Sequence, residues 1–159
     1  MLSARTSIDL RHQLRAPLHI ALEPTHALVA GDSETELRFI RDVLEAARYQ
    51  VLTTRAGMEL TSDLRRRVGG VFSSKPVELV VVQSVHESAV AASLLGAIRE
   101  VYPVLPIILI QGGDAELRRE AERLGVDVIL NGPPVAAELR RAALELSPSA
   151  PEVEADWRF

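Results

Sequence analysis

Short apolar runs rich in valine, isoleucine and leucine alternate with longer stretches whose apolar residues recur at helical spacing, and this alternation constrains the fold. Leu79-Val80-Val81-Val82 is short, continuous and mostly β-branched, the pattern of a strand covered on both faces. Pro106-Ile107-Ile108-Leu109-Ile110 repeats the pattern and stops at Gly112-Gly113. Ala27 to Ala30 (ending at Gly31), Val51 to Thr54 and Val126 to Leu130 complete the set of strands. Helices are expected between them. Ser33 opens a capping box with Glu36, predicting a helix through about Tyr49 with Leu37, Ile40, Leu44 and Ala47 on its apolar side. A second helix is expected over 58–68, and Val90, Leu94, Ile98 and Val101 form the stripe of a third. Asp114 caps a fourth, which runs to about Leu124 before Gly125 ends it. Val135, Leu139, Ala142 and Leu146 line the fifth.

Five strands alternating with five helices predict an α/β fold of the flavodoxin-like, doubly wound kind, with a five-stranded parallel sheet over residues 26–146. Residues 1–25 form a helical extension, and 147–159 a flexible acidic tail ending in Trp157-Arg158-Phe159. Residues 68–76 read as a loop carrying Phe72. In such sheets ligands meet the loops leaving the carboxyl ends of the strands. The positions of interest are therefore Gly31, Asp32, Gln83 to Glu87, Gln111 to Asp114, and Asn131 to Pro134.

Composition narrows the function classes. The 159 residues, 47% hydrophobic and 25% charged, suit one globular domain able to fold without cross-links. With no cysteine there is neither a disulfide nor a thiolate nucleophile. A net charge of -4 argues against wholesale attraction to nucleic acid. No apolar run reaches membrane-spanning length, and Arg5, Asp9, Arg11 and Arg15 interrupt any secretory apolar core. A cytoplasmic protein is expected. His19, His26 and His86 lack metal-ligand spacing, and no Ser-His-Asp set or paired carboxylates on one element occur. No Gly-x-Gly-x-x-Gly follows the first strand. Neither enzyme activity, a metal nor a cofactor is expected. The Arg65-Arg66-Arg67 run points to different sides of its helix and reads as solvated surface.

The order of these elements, with Gly31-Asp32 after the first strand, resembles the response-regulator receivers of bacterial two-component signalling. The resemblance covers about residues 26–146 and is strongest from Glu78 through Arg99. Pro106 to Ile110, Ala121 to Gly125 and the Pro133 turn match the later half. Receivers accept a phosphoryl group on an aspartate at the end of the third strand, and the matching residue is Gln83. A carboxamide cannot form the acyl phosphate. The paired acids that help hold Mg²⁺ are matched by Gly31 and Asp32, leaving one carboxylate. The hydroxyl residue after the fourth strand is matched by Gln111, the lysine after the fifth by Gly132, and the aromatic switch residue by Ile129. A rebuilt cation site would have to combine Asp32 with Glu34, Glu87 or Asp114. Gly132-Pro133 stands where the family makes a lysine–proline turn, which implies a cis peptide.

The resemblance therefore implies a pseudo-receiver: a module that binds a protein partner, or itself, without phosphate control. The family's fourth helix, fifth strand and fifth helix often form its contact face, which here carries Arg118, Arg119, Glu122, Arg123 and Val135. An alternative is a small-molecule or anion site in the emptied pocket, with Gly112-Gly113 offering backbone N–H groups. A second resemblance is shorter. His12-Gln-Leu-Arg-Ala-Pro-Leu18 is similar to the phosphoacceptor box of histidine kinases, which implies His12 as an acceptor. Leu10, Leu14, Leu18 and Leu22 add a helical stripe, yet a strand begins where the second helix of a kinase bundle would stand. The ordinary reading is a solvent-facing histidine on a short amphipathic helix.

Overall fold

A computed structural model describes residues 25–56 and 77–146. The elements are β1 (Thr25–Gly31), α1 (Glu34–Ala46), β2 (Tyr49–Arg55), β3 (Val77–Ser84), α2 (Ser88–Val101), β4 (Ile107–Gln111), α3 (Ala115–Arg123), β5 (Val128–Asn131) and α4 (Ala136–Leu146). The strands form one parallel sheet in the order β2-β1-β3-β4-β5. Four helices are described rather than five, because the helix expected over 58–68 lies outside the described residues. So do Phe72, the arginine run, the 1–24 extension with His12, and the tail from 147.

The continuous apolar runs reflect a sheet buried on both faces. Successive side chains point to opposite faces. Leu28, Ala30, Val80, Val82, Ile107 and Leu109 meet α2 and α3 through Ala91, Leu94, Leu95, Ile98, Leu117 and Ala121. Ala27, Val29, Leu79, Val81, Ile108 and Ile110 meet α1 and α4 through Leu37, Ile40, Leu44, Leu139, Ala142 and Ala143. On α2 the buried stripe is Ala91, Leu94, Leu95 and Ile98, so Val90 and Val101 of the expected stripe lie at its margin.

Two boundaries differ from expectation. The first helix ends at Ala46 rather than Tyr49, because Arg48 turns the chain with φ 76° and Tyr49 starts β2. Tyr49 is buried, and its hydroxyl donates to the carbonyl of Ala143 at 3.1 Å, tying β2 to α4. The fifth strand begins at Val128 rather than Val126. Val126 N–H still closes the end of α3 by donating to Ala121 O, after Gly125 turns with φ 75°.

A guanidinium also ties together the turns at the amino ends of β4 and β5. Arg99 on α2 donates through Nε to Leu124 O (2.8 Å), through Nη1 to Tyr102 O (3.2 Å) and Leu105 O (2.7 Å), and through Nη2 to Gly125 O (2.8 Å). It also faces Asp127 at 3.7 Å, whose Oδ2 accepts from Ile107 N–H at 2.8 Å. One planar fork thus satisfies the carbonyls at the ends of α2 and α3.

Candidate functional site

The carboxyl ends of β1, β3, β4 and β5 bring Gly31, Asp32, Gln83, Gln111 and Gly132 to one rim of the sheet. Gly31 pairs with Gln83 across β1 and β3, and Gln111 with Asn131 across β4 and β5. The positions singled out by the receiver resemblance are thus gathered as expected, but their polar groups bond to one another.

Gln83 is 1% exposed. Its Oε1 accepts from the backbone N–H groups of Asp32 and Ser33, both at 3.1 Å. Its Nε2 donates to Asp32 Oδ1 at 3.3 Å. A Cβ placed on Gly31 would lie 2.2 Å from Gln83 Oε1, 2.9 Å from Gln83 Cβ and 3.0 Å from Gln83 O. The carboxamide therefore fills the space that a side chain at position 31 would need. Gly31 and Gln83 thus share one space.

Asp32 faces backbone donors. Oδ1 accepts from Val85 N–H at 2.9 Å, while Oδ2 accepts from His86 N–H at 2.7 Å and Glu87 N–H at 2.8 Å. Partial burial alone would raise the pKa of this carboxyl. The N–H groups of Val85, His86 and Glu87, together with the charge of His86, outweigh burial and hold it below the usual aspartate range. Mg²⁺ requires oxygen donors with lone pairs free to turn toward it. Both Asp32 oxygens are already engaged by N–H groups and Gln83 offers its oxygen to the backbone, so these residues do not fit Mg²⁺. Glu34 pairs weakly with Arg55 at 3.9 Å, and Asp114 caps α3. Among the described residues no group of three or more His, Asp or Glu side chains is placed to hold a metal ion.

The other half of the rim is bonded in the same way. Gln111, 2% exposed, donates from Nε2 to Asn131 Oδ1 at 3.0 Å and accepts from Asp114 N–H at 2.8 Å. Asp114 Oδ1 in turn accepts from Glu116 and Leu117 N–H at 2.9 and 3.0 Å. The Leu117 N–H, then the Ser88 hydroxyl, hold its carboxyl below the usual range. The donors that open α3 after Gly112-Gly113 are thus capped by the chain's own carboxylate. Gly132, in the position matched to the family lysine, has φ 84° and donates to Gln111 O at 2.8 Å.

The peptide between Gly132 and Pro133 is trans, against the cis bond the resemblance implied. The left-handed Gly132 makes the turn, and trans is the intrinsically favoured isomer. Ile129 is half-buried against the α2–α3 side of the core.

Arg118, Arg119, Glu122 and Arg123 are exposed on α3, and Val135 precedes α4 with 49% exposure. Arg118 pairs with Glu122 at 3.4 Å and approaches Asn131 Oδ1 at 3.5 Å, while Arg123 pairs with Glu120. Arg119 and Arg123 border an open groove of about 840 Å³ between α2 and α3, floored by Ala89, Ala92 and Leu117. The expected face is therefore split, with Arg118 turned toward β5 and Arg119 toward α2. Sequence reasoning missed Asn131 as a partner of Gln111, and the convergence of residues 85–87 on Asp32. No sequence pattern signalled the latter, because the donors are backbone N–H groups.

No protein-family model matches the chain, and no curated protein matches it in sequence. Solved structures do match in fold. A putative pilus assembly-related protein from Burkholderia pseudomallei K96243 superposes with a TM-score of 0.64 at 18% identity, over 80% of this chain and 92% of that one. The signal receiver domain of an HD domain-containing protein from Pseudomonas fluorescens Pf-5 gives 0.63 at 22% identity, over 77% and 94%. A CheY-like response regulator receiver domain protein from Methanospirillum hungatei JF-1 gives 0.62 at 17% identity, over 84% and 98%. The chain has the fold of a receiver domain, on a rim whose hydrogen-bonding groups are turned inward.

Proposed function

We propose that this chain is a phosphorylation-independent pseudo-receiver, a cytoplasmic interaction module of a two-component-type pathway that binds a signalling protein or a second copy of itself. The observation that carries the reading is Gln83. It stands at the acceptor position, is 1% exposed, and commits both ends of its carboxamide to the turn after β1. An amide oxygen held by two N–H groups is neither a nucleophile nor a metal ligand. The alternative of an anion site at Gly112-Gly113 is weaker because, at the helix start that follows them, Asp114 Oδ1 already accepts from Glu116 and Leu117 N–H. Acceptor chemistry at His12 concerns residues outside those described.

The contact surface proposed is the side of α3 that borders the groove with α2, where Arg119 and Arg123 lie. Arg119 is its central charge, since Arg118 and Arg123 are paired within their own helix. The test is association measured by light scattering, for the chain alone and mixed with signalling proteins of the same cell. Reversal of both charges (Arg119→Glu with Arg123→Glu) is expected to weaken association about tenfold or more, to the same extent with and without acetyl phosphate and Mg²⁺. Association that survives the reversal, or that appears only with the phosphodonor, contradicts the proposal.

A further inference from the structure

The loop between β3 and α2 presents successive backbone N–H groups from Val85, His86 and Glu87, all directed at the Asp32 carboxylate within 2.7 to 3.2 Å. Successive N–H groups converging in this way make an anion-binding nest. The nest precedes a helix, whose dipole adds to its preference for negative charge. Its occupant comes from the chain itself. Gly31 leaves room for Gln83, Gln83 Oε1 fixes the backbone of Asp32 and Ser33, and that turn delivers the carboxylate.

We infer that Asp32 is a resident anion that holds the β3–α2 loop in one conformation, so that the negative charge this loop can accept is already in place without any ligand. The inference deepens the pseudo-receiver reading and rests on it for its biological meaning. A domain locked in this way presents α2 and its neighbouring groove in a fixed state, available to a partner at all times.

Chemistry requires a carboxylate here. Oδ1 accepts from Gln83 Nε2 and Val85 N–H, and Oδ2 from Val85, His86 and Glu87 N–H, so every contact on both oxygens is a donor. An asparagine would have to turn its own NH₂ group toward donors on one side. An alanine would leave the nest empty, with space for a small free carboxylate.

The experiment compares backbone amide resonances and hydrogen exchange at Val85, His86 and Glu87 in the full chain, in Asp32→Ala and in Asp32→Asn, each with and without formate. In the unaltered chain formate is expected to leave these amides unmoved. In Asp32→Ala their protection should fall about tenfold or more, the loss expected for hydrogen bonds to a charged acceptor. Formate should then restore it saturably. Asp32→Asn should lose protection as well. Unaltered protection in either variant, or an Asp32→Ala loop indifferent to formate, overturns the inference. If Asp32→Ala does not fold, the near-isosteric Asp32→Asn decides it by exchange alone. Failure here is distinguishable from failure of the pseudo-receiver reading, because a phosphoryl adduct on the unaltered chain would sink the latter and leave these amide results standing.

Discussion

At the scale of single residues, Gly31 and Gln83 act as one unit. Any side chain at position 31 collides with Gln83 Oε1, and the Gln83 Cβ and carbonyl crowd it further at 2.9 and 3.0 Å. Gly31→Ala is expected to destabilise the fold by about 1–3 kcal/mol, the usual cost of overpacking a closed site. The cost should shrink, without vanishing, in a Gln83→Ala background, because the Cβ and carbonyl contacts stay. Denaturant unfolding of the two single variants and the double variant measures that coupling; strict additivity would contradict the shared-space account. Part of this was legible in the sequence. The positions of Gly31, Asp32, Gln83, Gln111 and Gly132 followed from strand ends and the receiver resemblance. Their mutual bonding did not follow, because a glycine reads as a missing ligand until the atom that fills its space is known.

At the scale of elements, periodicity served best where burial is two-sided. The cores of β1, β3 and β4 were evident because covered strands lose the alternation of polar residues and become continuous apolar runs. Ends were less legible. Tyr49 continues a plausible helical stripe, but its hydroxyl finds Ala143 O only if the chain turns at Arg48 first. The Arg99 clasp was invisible, since nothing in a lone arginine late in a helix announces that carbonyls from α2, α3 and their following turns will converge on it. Arg99→Ala should cost about 2–4 kcal/mol, because partly buried carbonyls lose charged donors together. A shift in urea midpoint with an unchanged slope would confirm a loss of native stability, and no shift would mean that water replaces the guanidinium without cost.

At the scale of the whole molecule, the chain has the fold of a receiver domain, and the polar groups on its rim bond to one another. Five parallel strands still bring the loops of β1, β3, β4 and β5 together. There one carboxylate faces backbone N–H groups, two carboxamides bond to their neighbours, and Gly132 is left-handed. Fold alone does not carry function, and the identities to the solved structures are low enough that the chemistry must be argued from the rim itself. The geometry shows how Gln83 and Gln111 are satisfied by the chain itself, whereas the buried hydroxyl of Ser84 at the end of β3 has no hydrogen-bond partner among the described residues. The contact face proposed on α3 was not distinguishable in the sequence, because no periodicity separates its charges from ordinary solvated surface.

The most direct test is the intact mass of the purified chain after incubation with acetyl phosphate and Mg²⁺. A chain that holds Gln83 and Asp32 as described should gain no phosphoryl group and return the mass of the untreated protein. A phosphoryl adduct would mean that an acceptor exists, and it would contradict a phosphorylation-independent module whatever residue carried it.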